Sequence, residues 1–363
     1  MPELSSTKLN YWQYYDTLAK MLSGRSAGVL TQEMNWKDLL ALADDHLVTP
    51  ALAKPWRKLP YVPTDIRDYA EAMLELNRHR NAQHLLEIER VNAILFRQGI
   101  KPIWLKGAAS LLSGLYADAA ERIVGDLDLL VSPKDFPGAH KVLVEAGFEF
   151  INPKLRNVIF EKHLPRLRNR KGDMSLELHH AILDVAHVRL LPTDPTIMRA
   201  RAVSYNGKSY NILSPIDRLV HNIAHLQNMP SGRHDLRQLR EFVLLNERPD
   251  SFEILTQARQ RFSEENFDEI FFNHVASAVV LFHMEYGLEP DKGLEFMRRY
   301  KQLQIDGFKD PIPDKLVPRM KHVLRPYLRA LLINPRLAVE PLTRSWWTQK
   351  APSLFRRLIG KTS

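Results

Sequence analysis

Three carboxylates and a histidine stand in apolar surroundings where solvated acids are not expected. Residues 125–131 read Gly-Asp-Leu-Asp-Leu-Leu-Val, and residues 175–179 read Ser-Leu-Glu-Leu-His. Successive side chains of a strand point to opposite faces, so Asp126 and Asp128 share one face and Leu127 and Leu129 the other. The same alternation pairs Glu177 with His179. Two carboxylates on one strand face repel each other unless a cation lies between them, and hard divalent ions such as Mg2+ or Mn2+ take oxygen ligands. The pattern predicts a metal centre built from Asp126, Asp128 and Glu177. An isolated Asp-Leu-Asp is ordinary on a solvated strand edge. The metal reading rests on a longer order of features: strand, glycine turn, paired acids, later acid.

The elements that must position these groups are legible in part. Residues 36–47 and 65–97 have helical patterns, the second with a stripe of Met73, Leu74, Leu76, Leu85, Leu86, Ile88, Val91, Ile94 and Leu95 ending at Gly99. Prolines 50, 55, 60 and 63 punctuate the segment before it. Ile103 and Leu105 alternate with Pro102 and Trp104 as a short strand, which runs into Lys106-Gly107-Ala108-Ala109 and a helix to about Tyr116. A strand that turns into a helix at glycine leaves free N–H groups at the helix start, a geometry that receives phosphate. Ser132-Pro133-Lys134-Asp135 predicts a capped helix to about Ala146. Strands are expected at 148–151, 158–162 and 174–179, the last entered through a turn at 170–173. Leu213-Ser214-Pro215-Ile216-Asp217 caps a further helix, and only helices are expected from there on.

The chain of 363 residues, 45% hydrophobic, can form two or three domains. Four segments are expected: a helical 1–98, an α/β core at 99–212, a helical domain at 213–335 and a basic aromatic tail at 336–363. Without cysteine there are no disulfides, thiolate metal sites or cysteine nucleophiles. No apolar run reaches the roughly 18 residues of a spanning helix, and the polar start does not resemble a secretion leader, so a cytoplasmic protein is expected. The net charge of +9 is a local property, because residues 315–363 carry 11 Lys or Arg against Glu340 alone. With Trp346, Trp347 and Phe355 among its cations, that segment is a candidate for an anionic membrane surface, peripheral at the inner face, or for an acidic partner. A docked helix with a solvated basic face is the simpler reading of the same segment. The near-neutral remainder makes nucleic acid a less attractive partner.

Leu105-Lys106-Gly107-Ala108-Ala109, Arg122 through Val131 and Leu176-Glu177-Leu178-His179 together resemble the bacterial family of uncharacterised nucleotidyltransferases, over roughly residues 10–300. The resemblance implies the nucleotidyltransferase superfold: an α+β fold whose small mixed-sheet catalytic core is flanked by helical segments. It implies transfer of a nucleoside monophosphate from an NTP such as ATP to an acceptor, with pyrophosphate released. Two divalent ions roughly 3.5 to 4 Å apart would serve the entering and leaving oxygens. Asp126, Asp128 and Glu177 would hold them, and Lys106, Gly107 and Ala108 would face the nucleotide phosphates. Ala108 stands where the superfold usually has a second Gly or Ser, so a hydroxyl donor is absent. Arg122 is a candidate phosphate contact or a structural ion-pair partner, and His179 a candidate to orient Glu177 or contact the acceptor. His221 and His225 are four apart on a helix but lack the intervening Glu of zinc peptidases, and are expected to pack against the core. The alternative class is a non-catalytic regulatory protein that keeps the fold to bind a nucleotide or a partner.

Overall fold

The computed structural model describes residues 11–24, 34–151, 162–169, 174–184, 186–226 and 235–286. The basic tail, residues 158–161 of the strand expected at 158–162 and the expected turn at 170–173 lie outside the described residues.

The N-terminal third is helical, as its sequence pattern predicts: α1 (Tyr11–Leu22), α2 (Trp36–Asp45), α3 (Thr49–Arg57) and α4 (Thr64–Phe96). The Asn35 side chain caps α2 by accepting from the N–H groups of Lys37 and Asp38. Gly99 stops α4 with φ +72°, which lets the Ile100 N–H reach back to the Leu95 carbonyl at 3.1 Å. The buried stripe of α4 is Ile66, Ala70, Leu74, Asn77, Asn81, His84, Ile88, Val91 and Leu95. Leu76 and Leu86, expected within it, are exposed, because the helix buries polar residues in the middle of its length.

The middle block is mixed α/β. It contains β1 (Ile103–Trp104), α5 (Lys106–Leu112), β2 (Leu127–Leu130), α6 (Phe136–Glu145), β3 (Phe148–Phe150), β4 (Leu167–Asn169), β5 (Ser175–His179), α7 (Thr193–Met198), β6 (Arg201–Tyr205) and β7 (Lys208–Ile212). The seven strands form one sheet in the order β3-β4-β5-β2-β1-β7-β6, with β2·β5 and β1·β7 parallel and the other pairs antiparallel. Three sequence expectations are corrected. The helix after Lys106 stops at Leu112 rather than Tyr116, and Gly114 turns the chain with φ +60°. The helix expected from Pro133 starts at Phe136, since residues 132–135 close a turn through the Asp135 N–H and Ser132 carbonyl. Pro137 then sits where a helix lacks N–H partners in any case. The β6–β7 hairpin, not expected, turns at Asn206-Gly207 with both φ values positive.

Among the described residues four helices follow: α8 (Pro215–Leu226), α9 (Asp235–Asn246), α10 (Ser251–Glu264) and α11 (Asp268–Phe282). Ser214 caps α8 as expected, accepting from the Asp217 N–H at 3.2 Å. Two cores hold these layers. One joins α1–α3 and the first half of α4 to α8–α11, through residues such as Leu18, Trp56, Leu74, Ile223, Phe242 and Phe271. The other lies on one face of the sheet, where Leu127, Leu129, Leu176 and Leu178 meet Ile88, Val91 and Leu95 of α4. No helix among the described residues is long and apolar enough to cross a membrane.

Candidate metal centre and active site

Strand alternation delivers the site. With Leu127, Leu129, Leu176 and Leu178 on the sheet face that carries the second core, Asp128, Glu177 and His179 point to the other face. The parallel register sets Asp128 opposite Glu177, so the two buried carboxylates are neighbours across the ladder. One ligand atom from each of Asp128, Glu177 and His179 lies within 4.8 Å of the others. Asp126 lies just before β2, more exposed, with Oδ2 2.9 Å from Arg166 Nη2. Of the expected metal-binding carboxylates, the structure gathers Asp128 and Glu177 with His179 and keeps Asp126 adjoining through Arg166.

Cations from several elements surround the acids. Lys106 Nζ donates to Asp128 Oδ1 at 2.5 Å and lies 3.9 Å from Glu177 Oε2. Lys106 adopts φ +46°, a conformation costly for a side-chain-bearing residue, at the turn from β1 into α5. Arg166 Nε donates to Glu177 Oε1 at 2.9 Å, and His163 Nε2 lies 3.7 Å from Glu177 Oε2. Burial alone would push the Asp128 carboxyl up, but Lys106 and His179 outweigh it and hold the group below its usual range. Glu177 is likewise held low, its burial outweighed by His179, His163, Lys106 and Arg166. Asp126 goes the other way: burial, then the charges of Asp128 and Glu177, push it up to about 6.

His179 tests whether this donor set fits a metal ion. Its Nδ1 lies 3.3 Å from the Ala181 carbonyl and its Nε2 2.9 Å from Asp128 Oδ1. Nδ1 can donate to the Ala181 carbonyl, which leaves Nε2, beside Asp128 Oδ1, to face a cation held with that carboxylate. A carbonyl fixing the far nitrogen is the usual support of a metal-ligating histidine. Two buried carboxylates and this imidazole therefore could hold a metal ion.

A row of polar residues on α4 places the loop that leads to Asp126. Asn77 Nδ2 donates to the carbonyls of Ala120 and Arg122 at 2.6 and 3.0 Å, and Asn81 Nδ2 to those of Ala119 and Arg122 at 2.8 and 2.9 Å. One turn on, His84 Nε2 meets the Val124 carbonyl at 3.2 Å. Gly107 packs against the same loop: a Cβ there would lie 2.9 Å from Val124 Cγ2. Gly107 thus serves close packing, and Ala108 is wholly buried in the second core. Arg122 is buried and donates through Nε to Glu241 Oε2 at 2.7 Å, the ion-pair alternative of its two readings. His221 and His225 contact each other edge to face on α8, beside Lys106 in one cleft.

Sequence reasoning missed His163, Arg166, Asn77, Asn81, His84 and Glu241. The spacing of Asn77, Asn81 and His84, four and then three, was the available signal, since it continues the apolar stripe of α4 through polar residues.

No curated protein and no solved structure matches the chain. Residues 32–275 match the family model described as uncharacterised nucleotidyltransferase, which spans more than half of the sequence and contains Lys106, Asp126, Asp128, Glu177 and His179. The chain belongs to the family of uncharacterised nucleotidyltransferases.

Proposed function

We propose that this chain is a divalent-metal-dependent nucleotidyltransferase that moves a nucleoside monophosphate from an NTP to an acceptor hydroxyl. The observation that carries the reading is the in-register pair Asp128 and Glu177, completed by His179 and framed by Lys106 and Arg166. Asp128, Glu177 and His179 would hold Mg2+ or Mn2+, which when bound supplies positive charge against the oxygens of the transferring phosphoryl group.

The chain's own residues do the rest. The acceptor oxygen bonds to the α-phosphorus, the bond from that phosphorus to the bridging oxygen of the β-phosphate breaks, and pyrophosphate leaves with the electron pair. The hydroxyl proton passes to Asp126, the carboxylate that stands beside the Asp128–Glu177–His179 group without belonging to it. Lys106 and Arg166 neutralise phosphate oxygens as the carboxylates turn to the metal.

The test is pyrophosphate release by the full chain with each NTP, Mg2+ or Mn2+ and a panel of hydroxyl acceptors. Asp128→Ala is expected to abolish both Mn2+ binding and release. Asp126→Asn is expected to keep Mn2+ and lose turnover by about a hundredfold or more. Metal-dependent nucleotide binding with no release for any acceptor would favour the non-catalytic reading, which the missing hydroxyl at Ala108 also favours.

A further inference from the structure

Lys106 also lines a cleft between α5, α8 and α9 that opens to solvent and whose lining does not include Arg166. Lys106, Arg122, Arg218 and Arg237 line it, and Glu241 is the one carboxylate among its described lining residues. The helical period builds this wall. Arg218 and His221 are three apart on α8, and Arg237 and Glu241 four apart on α9, so each pair faces the same way.

The local charges do not balance. Glu241 is engaged by Arg122 at 2.7 Å and also accepts from Ser110 Oγ at 2.9 Å, while Lys106 is engaged by Asp128. Arg218 finds only the hydroxyls of Ser113 and Ser110, at 3.1 and 3.4 Å. Among the described residues, Arg237 makes one long contact, 3.5 Å to the Ile123 carbonyl, and its Nε has no partner. His221 is 5% exposed and its Nε2 has no partner either. Burial pushes Arg218 down to about 10, and burial with the charge of Arg122 pushes Arg237 down to about 9. Two guanidiniums and an imidazole thus face one cavity with no carboxylate at ion-pair distance from either guanidinium among the described residues.

We propose that this cleft is an oxyanion subsite in which Arg218, Arg237 and His221 Nε2 receive a phosphoryl group. Two guanidinium forks and an imidazole N–H match the three free oxygens of a terminal phosphoryl group better than the two of a carboxylate. The group belongs either to the pyrophosphate end of the nucleotide donor or to a phosphorylated acceptor. Its role in transfer rests on the function proposed above; its binding does not.

The test is calorimetric titration of the metal-free full chain with inorganic pyrophosphate and with phosphate. Binding is expected, weaker at high salt, and reduced about tenfold or more in Arg218→Gln and in Arg237→Gln. Glu241→Gln removes the competing carboxylate and is expected to tighten binding, a gain that misfolding cannot imitate. Asp128→Asn, expected to end transfer, also releases Lys106 of the cleft lining and is expected to bind pyrophosphate at least as tightly as the unaltered chain, so loss of transfer chemistry and loss of the subsite are separable. Displacement of phosphate by a non-hydrolysable NTP analogue with Mg2+ assigns the subsite to the donor, and simultaneous binding assigns it to the acceptor. No pyrophosphate binding at millimolar concentration, or binding indifferent to all three cleft substitutions, overturns the proposal.

Discussion

Lys106 stands between two buried polar regions of opposite character. On the Arg166 side, each acid of the centre meets a cation of the chain: Asp128 meets Lys106, and Glu177 and Asp126 meet Arg166. On the α8–α9 side, Arg218 and Arg237 meet hydroxyls and a carbonyl instead. Where opposite charges are matched, the fold is complete without a ligand, and an incoming ion must compete with a side chain already present. Where they are unmatched, the desolvation of the guanidiniums is left uncompensated, and a ligand of the right sign relieves it. On the two proposals above, the acid side would exchange cations and the cleft would capture an anion.

The largest expected effect breaks the matched side. Lys106→Met leaves Asp128 buried with His179 as its remaining close partner, at a cost of about 3 kcal/mol in the absence of metal. Mn2+ no longer competes with an ammonium in that variant, so it should raise the melting temperature more than in the unaltered chain. Thermal melts of both proteins with and without Mn2+ read this directly. Equal Mn2+ shifts would mean that Lys106 and the metal do not share a place, and the contrast between the two regions would fail.

The acid side was legible in the sequence and the cleft was not, for a physical reason. Asp128, Glu177 and His179 sit on two strands whose leucines show the alternation, so their shared face follows from period two alone. Arg122 and Glu241 are 119 positions apart, and Arg237 meets the carbonyl after Arg122 across a similar gap. No local period relates them; only the packing of α9 against the block does. The fold divides in the same way. Helices α2 and α4 and strands β2 and β5 announce themselves through apolar spacing, whereas β6 alternates half-buried with exposed positions at the sheet edge. Only the Asn206-Gly207 turn marked its hairpin. In α4 the buried face was misjudged because Asn77, Asn81 and His84 occupy it, and a reading that follows apolar residues passes over polar ones.

His84 sharpens the comparison, because protonation would add a buried charge beside Arg80 rather than beside an acid. Neutral, its Nε2–H satisfies the Val124 carbonyl; burial, with the charge of Arg80, pushes the imidazole down to about 4 from 6.5. A histidine held low in the folded state contributes its full stability above pH 6.5, and loses it as the pH falls from there towards 4. At pH 5 the loss amounts to about 2 kcal/mol. His84→Gln keeps a donor for Val124 and does not titrate, so the stability difference between pH 7 and pH 5 should shrink by that amount. Chemical denaturation at both pH values measures it, and identical pH losses in the two proteins would contradict the assignment.

The smallest effect concerns a group that is unmatched and faces no cleft. His274 on α11 is 2% exposed, packs edge to face on Phe242 at 4.7 Å, and has no partner among the described residues for either ring nitrogen. Burial pushes it down to about 3, so it is neutral, and each nitrogen has lost water without gaining a hydrogen bond. Arg218 and Arg237 share that deficit but line a cavity that a ligand can enter, whereas His274 is packed within the helical core. Its deficit therefore has no functional return, and His274→Leu should stabilise the chain by about 1 kcal/mol at pH 7. The gain should be larger at pH 5, because the unfolded chain then binds a proton that the buried ring refuses. If the leucine variant is instead less stable at both pH values, His274 has a partner in solution, and the division into matched and unmatched groups needs redrawing around α11.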